Sequence, residues 1–174
     1  MATEDRRSRI RLLVSIAALE FVLAATTFAS PGPISVFTSG VSLRVPSGWH
    51  AVVGKGPGCD PERLITASSG QLRISPTGTL APPRAHQVLV LLLEDRLRQD
   101  RPSGNLRRPA HFSVMWNRLV HLKGGCGLPA VRAFVRYVKT HGRYLGFIVY
   151  PGYAVPPRTR AETLSVLDSL RVRG

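Results

Sequence analysis

Acidic residues are scarce: the chain of 174 residues holds 10 Asp+Glu against 24 Lys+Arg, a formal charge of +14. Four of those bases and three of the acids precede residue 30, so the remaining 145 residues carry +13. A field of that sign attracts anions in general. The patterns that would declare an enzyme are missing as well. There is no Gly-x-Ser-x-Gly elbow, His-Glu-x-x-His helix, P-loop, Gly-x-Gly-x-x-Gly turn or calcium loop. The five histidines (His50, His86, His111, His121, His141) are scattered, with no ligand spacing between them, so neither a metal nor another cofactor is expected. Glu94 and Asp95 are neighbours, and neighbours on a strand point to opposite faces, where they cannot share a proton.

Cysteine is nearly absent too. Cys59 and Cys126 are the two in the chain, they form no Cys-x-x-Cys pair, and an even count outside the cytoplasm reads as one disulfide. Closing so long a loop would stabilise the fold by roughly 4 kcal/mol in the chain-entropy description.

What the sequence does have is an address. Arg6, Arg7, Arg9 and Arg11 lead into an apolar run from Leu12 to Phe28, followed by Ala29-Ser30-Pro31-Gly32-Pro33. A basic start, an apolar middle and a small residue before a break are read by the secretion machinery, and cleavage after Ala29 fits. The run is also close to the ~20 residues that span a bilayer, with Glu20 costing on the order of 3 kcal/mol at its middle. Residues 1–30 therefore read as a signal peptide or a single N-terminal membrane anchor, formed as a hydrophobic helix. No cysteine directly follows the run to take a lipid, and the arginines place the N-terminus in the cytoplasm and the body of the chain outside. After a linker over 31–39, residues 40–174 are long enough for one extracytoplasmic domain with a real core.

Within that domain the periodicity predicts strands and one helix, an α+β fold built on an antiparallel sheet. Val41, Leu43 and Val45 alternate with Ser42 and Arg44, and Pro46-Ser47-Gly48 turns into Trp49–Val53 as a hairpin-like pair. Short strands are expected at 64–67 and 72–74, and a strand-like stretch at 112–122. Val88 to Leu93 is six consecutive apolar residues, the pattern of a central strand covered on both faces. Val131–Val138 and Tyr144–Tyr150 form the clearest hairpin, with Gly142 supplying a positive φ. Thr159 with Glu162 reads as a capping box, after which Ala161, Leu164, Leu167 and Leu170 share a face packed on the sheet. Arg171 to Arg173 is a terminal strand stub.

The frame Val41-Ser-Leu-Arg-Val-Pro-Ser-Gly-Trp49, a Tyr/Gly-rich hairpin ending in Val149-Tyr150 and the close Thr159-Arg-Ala-Glu-Thr-Leu-Ser-Val-Leu-Asp-Ser-Leu-Arg-Val172 resemble those of small exported actinobacterial proteins of unknown function, with Pro46-Ser-Gly-Trp49 and Leu167-Asp-Ser-Leu-Arg-Val172 as the two motifs that carry the likeness. Those are in turn similar to the PsbP/Mog1-like α/β/α sandwich. The resemblance implies a binding or assembly module and carries over no catalytic residue. Both motifs are architectural, one turning a large aromatic onto the core and the other docking the last helix.

Two classes of function are open to such a chain. The first is an exported or membrane-anchored interaction module whose loop arginines (Arg96, Arg98, Arg101, Arg107, Arg108) meet an anionic envelope polymer, lipid headgroups or a partner protein. Nucleic acid is not expected outside the cell. Tyr150 and Tyr153, around Pro151-Gly152, are the candidates for exposed aromatics, whereas Trp49 and Trp116 fill the core. The second is an envelope hydrolase assembled from distant residues, such as Cys126 or a histidine beside a carboxylate. A deep pocket with such a pair would favour it.

Overall fold

The computed structural model describes residues 32–54, 62–95 and 106–173. The expected leader, residues 1–30, lies outside them. Strands β1 (Ile34–Thr38), β2 (Val41–Val45), β3 (His50–Val53), β4 (Glu62–Ser68) and β5 (Val88–Asp95) come first. They are followed by β6 (Val120–His121), β7 (Arg132–Thr140), β8 (Arg143–Pro151), the helix α1 (Pro157–Asp168) and β9 (Arg171–Val172). Every pairing between these strands is antiparallel. The strands make a six-stranded sheet in the order β3-β4-β5-β8-β7-β6 and a three-stranded sheet in the order β1-β2-β9. With one helix among the described residues, near the C-terminus, this is the expected α+β class.

The run from Val88 to Leu93 is the spine of the large sheet, with no residue more than 2% exposed. Because side chains alternate across a strand, Val88, Val90 and Leu92 enter one core, while Leu89, Leu91 and Leu93 enter a second on the opposite face. The first core is closed by the small sheet and α1 through Leu43, Val45, Val166, Leu167 and Leu170. The second is closed by loops, through Leu72, Leu80, Leu122 and Leu128. Loops thus do on that face what a second layer of helices would do in an α/β/α sandwich. Among the described residues two polar atoms are trapped without a hydrogen-bond partner, one guanidinium nitrogen of Arg63 and the hydroxyl of Tyr150. Arg63 donates its other terminal nitrogen to the Gly78 carbonyl at 3.1 Å, and burial lowers its pKa.

The β7–β8 hairpin forms as expected, its two-residue turn carrying φ of 49° at His141 and 74° at Gly142. Positive φ at both central positions matches the right-handed twist of the strands they join.

Several expectations need correction. Strands 41–45 and 50–53 are not a hairpin pair: β2 lies between β1 and β9, whereas β3 pairs with β4 in the other sheet. Pro46 to Trp49 is therefore a corner between sheets, with Trp49 buried behind it. The expected linker over 31–39 contains β1, whose alternating Ile34, Val36 and Thr38 pair across β2. Residues 112–122 contribute only the two-residue β6, and 72–74 only an isolated bridge from Ile74 to Leu80. The capping box does not form. The helix starts two residues before Thr159, Pro156 is its N-cap without a side-chain bond, and Glu162 faces Trp49 instead. A proline in the first turn already fixes the entry φ, so a hydroxyl cap is dispensable. The buried face is correspondingly turned, to Thr163, Val166, Leu167 and Leu170, with Ala161 exposed.

Candidate functional site

The two motifs, far apart in the chain, meet at one place. The Trp49 indole Nε1 donates to Glu162 Oε2 at 3.0 Å, while Arg158 Nε holds the other Glu162 oxygen at 2.9 Å. At the far end of α1 the backbone N–H of Arg44 donates to Ser169 Oγ at 2.8 Å, and that hydroxyl donates to the Val166 carbonyl at 2.6 Å. Asp168 Oδ1 accepts the Phe112 N–H at 2.6 Å. β9 then pairs with β2 through Val172 and Val41. The polar groups of both motifs thus hold the helix to the small sheet.

Between them lies an open groove of about 510 Å³. Pro46 and Ser47 of the first motif and Asp168, Ser169 and Arg171 of the second line it, with Pro33, Arg44 and Ser165 completing the wall. Arg44 and Arg171 are exposed, and among the described residues neither side chain has an ion-pair or hydrogen-bond partner. Asp168, the one carboxylate in this wall, is already engaged with Phe112 and lies 3.2 Å from His111 Nδ1.

The His111–Asp168 pair is the nearest approach to acid–base machinery among the described residues. Its setting is poor for that work. The His111 side chain is 86% exposed, in high-dielectric surroundings where a proton relay gains little. The hydroxyl next in sequence to Asp168, that of Ser169, is locked between a backbone donor and a backbone acceptor and cannot serve as a nucleophile. All five histidines are exposed, and no group of three or more potential metal ligands occurs among the described residues.

The residues singled out in the sequence are scattered. Arg96, Arg98 and Arg101 lie outside the described residues. Arg107 makes an isolated bridge to Lys139, and Arg108 donates to the Asp168 carbonyl at 3.3 Å, closing the helix C-terminus. Arg108 is therefore in part a structural contact. Tyr153 is 93% exposed and borders a second groove with Trp116, Arg132 and Arg160, where the Arg160 guanidinium lies 5.3 Å from the centre of the Trp116 ring. Tyr150, expected to be exposed, is fully buried in the second core, and that burial raises its phenol pKa from 10.0 to about 12. It sits in register with Leu89 on a strand covered on both sides, so its side chain has no route to solvent. Cys126 occupies an exposed turn at φ of 51° and is not a free thiol, while Cys59 lies outside the described residues. No helix among the described residues is long and apolar enough to cross a membrane.

Arg44 and Arg171 went unnoticed as site residues because 127 positions separate them. A signal was present in the alternation of Val41-Ser-Leu-Arg-Val45, which turns Arg44 outward whenever the three apolar residues turn in.

No family model, curated protein or solved structure matches the chain.

Proposed function

We propose that the chain is an exported or membrane-anchored binding module that presents a basic surface to anionic envelope material and carries out no catalysis of its own. One observation carries the reading: where the two motifs converge, Trp49, Glu162, Asp168 and Ser169 are all engaged in holding the fold, whereas Arg44 and Arg171 face an open groove without an anion of their own. Guanidinium groups with no anion of their own recognise carboxylate or phosphate oxygens through paired, charge-assisted hydrogen bonds. The basic leader with its apolar run supports placement outside the cytoplasm, and the Cys59–Cys126 disulfide belongs to the same proposal. The PsbP/Mog1-like likeness also remains a proposal, supported by the antiparallel sheet and its C-terminal helix, with loops in place of helices on the second face.

Retention of the purified chain on an anionic matrix over a salt gradient tests the binding reading. The R44Q/R171Q variant is expected to elute at clearly lower salt than the parent, and equal elution would remove Arg44 and Arg171 from the site. Fractionation of tagged protein with intact mass, with and without reductant, reports compartment, leader cleavage and disulfide together. The hydrolase reading keeps one supporting contact, His111 to Asp168. Turnover of an ester, amide or glycan substrate by the purified chain, lost in H111A, would replace the proposal with that reading.

A further inference from the structure

We infer that the outward face of the small sheet is a seat for an anionic bilayer surface, with Phe37 entering the headgroup layer beside Arg44, Arg171 and Arg173. The inference rests on the basic-module reading above and names its partner.

Register determines which side chains share that face. In β2, Val41, Leu43 and Val45 are buried, so Ser42 and Arg44 point outward. Phe37 pairs with Ser42, Ser42 with Arg171, and Ser35 with Arg44, which brings Phe37 and the two arginines to the same side. Arg173 stands one pleat beyond Arg171 and is exposed, anchored by its N–H to the Gly40 carbonyl at 2.8 Å. A groove of about 380 Å³ runs between them, with Phe37 on one wall and Arg171 and Arg173 on another. None of the three strands contains an acidic residue.

Phe37 is 60% exposed, and no core contact accounts for a phenylalanine there. An exposed aromatic among guanidinium groups suits a lipid interface, where the ring enters the acyl boundary while the cations stay with phosphates. A soluble polyanion would use the arginines and leave the ring in water. The position of the face favours the bilayer too. Ser35 stands seven positions after Phe28, the end of the apolar run, and seven residues reach at most about 25 Å. A domain held by that run keeps this face within one short tether of the headgroups.

The test uses the full-length chain in vesicles of phosphatidylcholine alone or mixed with phosphatidylglycerol. The difference emission of F37W against the parent is expected to shift to the blue in the anionic vesicles and to be quenched by acyl-brominated lipid. Each of R44Q, R171Q and R173Q is expected to weaken that response about fivefold, and the triple variant to abolish it. Position 37 is exposed, and circular dichroism of F37W checks that the sheet is intact. If F37W emits alike in both vesicle types while retention on the anionic matrix still depends on the arginines, the basic module stands, and its partner is a polymer or protein instead of a bilayer. If retention also ignores the arginines, the functional proposal falls with the inference.

Discussion

Tyr150 and Gly152 stand two positions apart, and each is held by its surroundings. The Tyr150 hydroxyl is buried without a hydrogen-bond partner, an arrangement that costs about 1–3 kcal/mol relative to a satisfied or missing hydroxyl. Y150F is therefore expected to raise stability by about 1 kcal/mol in urea unfolding at pH 7. The pH dependence comes from the raised pKa. Below pH 10 both folded and unfolded phenols are neutral; above it the unfolded chain loses its proton first, so stability drains away as pH rises through about 12. The advantage of Y150F should grow by about 2 kcal/mol between pH 9 and pH 11.5, and an unchanged gap would mean the hydroxyl is solvated. Gly152 is constrained differently. Its N–H donates to the Gln87 carbonyl at 2.8 Å, and a Cβ would overlap the carbonyl oxygens of Arg84 and Ala85. Because backbone, unlike the end of a long side chain, cannot step aside cheaply, G152A is expected to lose about 2–3 kcal/mol by the same measurement.

At the scale of elements, the two ends of α1 behave oppositely. Thr159 lies inside the first turn and caps nothing, so T159A should change stability by less than about 0.5 kcal/mol, whereas a true cap would cost about 1 kcal/mol. Asp168 at the other end fixes the Phe112 N–H, and D168A should cost about 2 kcal/mol in thermal unfolding. The contrast shows what a sequence discloses. Motifs of local chemistry were legible where periodicity was strong: the Val88–Leu93 strand, the β7–β8 hairpin with Gly142 at its turn, the helix and the terminal stub all form. The capping box failed because a proline set the helix start by itself. β1 was hidden by the Pro/Gly-rich segment before it, although Ile34, Val36 and Thr38 alternate correctly. The partner of 41–45 was illegible for a plainer reason, since β9 is supplied from 130 residues downstream. Tyr150 looked exposed because loops hide it, and loop cover leaves no period in the sequence.

Across the whole molecule, the Arg143 side chain ties the two sheets, pairing with Glu94 inside the large sheet and reaching the turn of the small one. Arg143 on β8 grips both Glu94 oxygens of β5 at 2.7 Å and donates its third nitrogen to the Ser39 carbonyl in the β1–β2 turn at 2.6 Å. The hydrogen bonds to Glu94 raise the Arg143 pKa above its usual value, against partial burial. R143A removes the two-pronged grip on a largely buried carboxylate together with the bond to Ser39 and is expected to cost about 3 kcal/mol, while R143K, which keeps the charge without the fork, should cost about half as much. A loss under about 0.5 kcal/mol for R143A in denaturant unfolding would show that the sheets need no such tie.

The position of β2 between the first and last strands sets an order of events. Its second edge is filled by Arg171 and Val172, the last strand among the described residues. Under the proposed export, a chain threading outward with β1 ahead of β9 cannot finish its smaller layer until Arg171 and Val172 have followed the whole of the larger sheet across, so the polypeptide stays pliable through that passage and locks when β9 arrives.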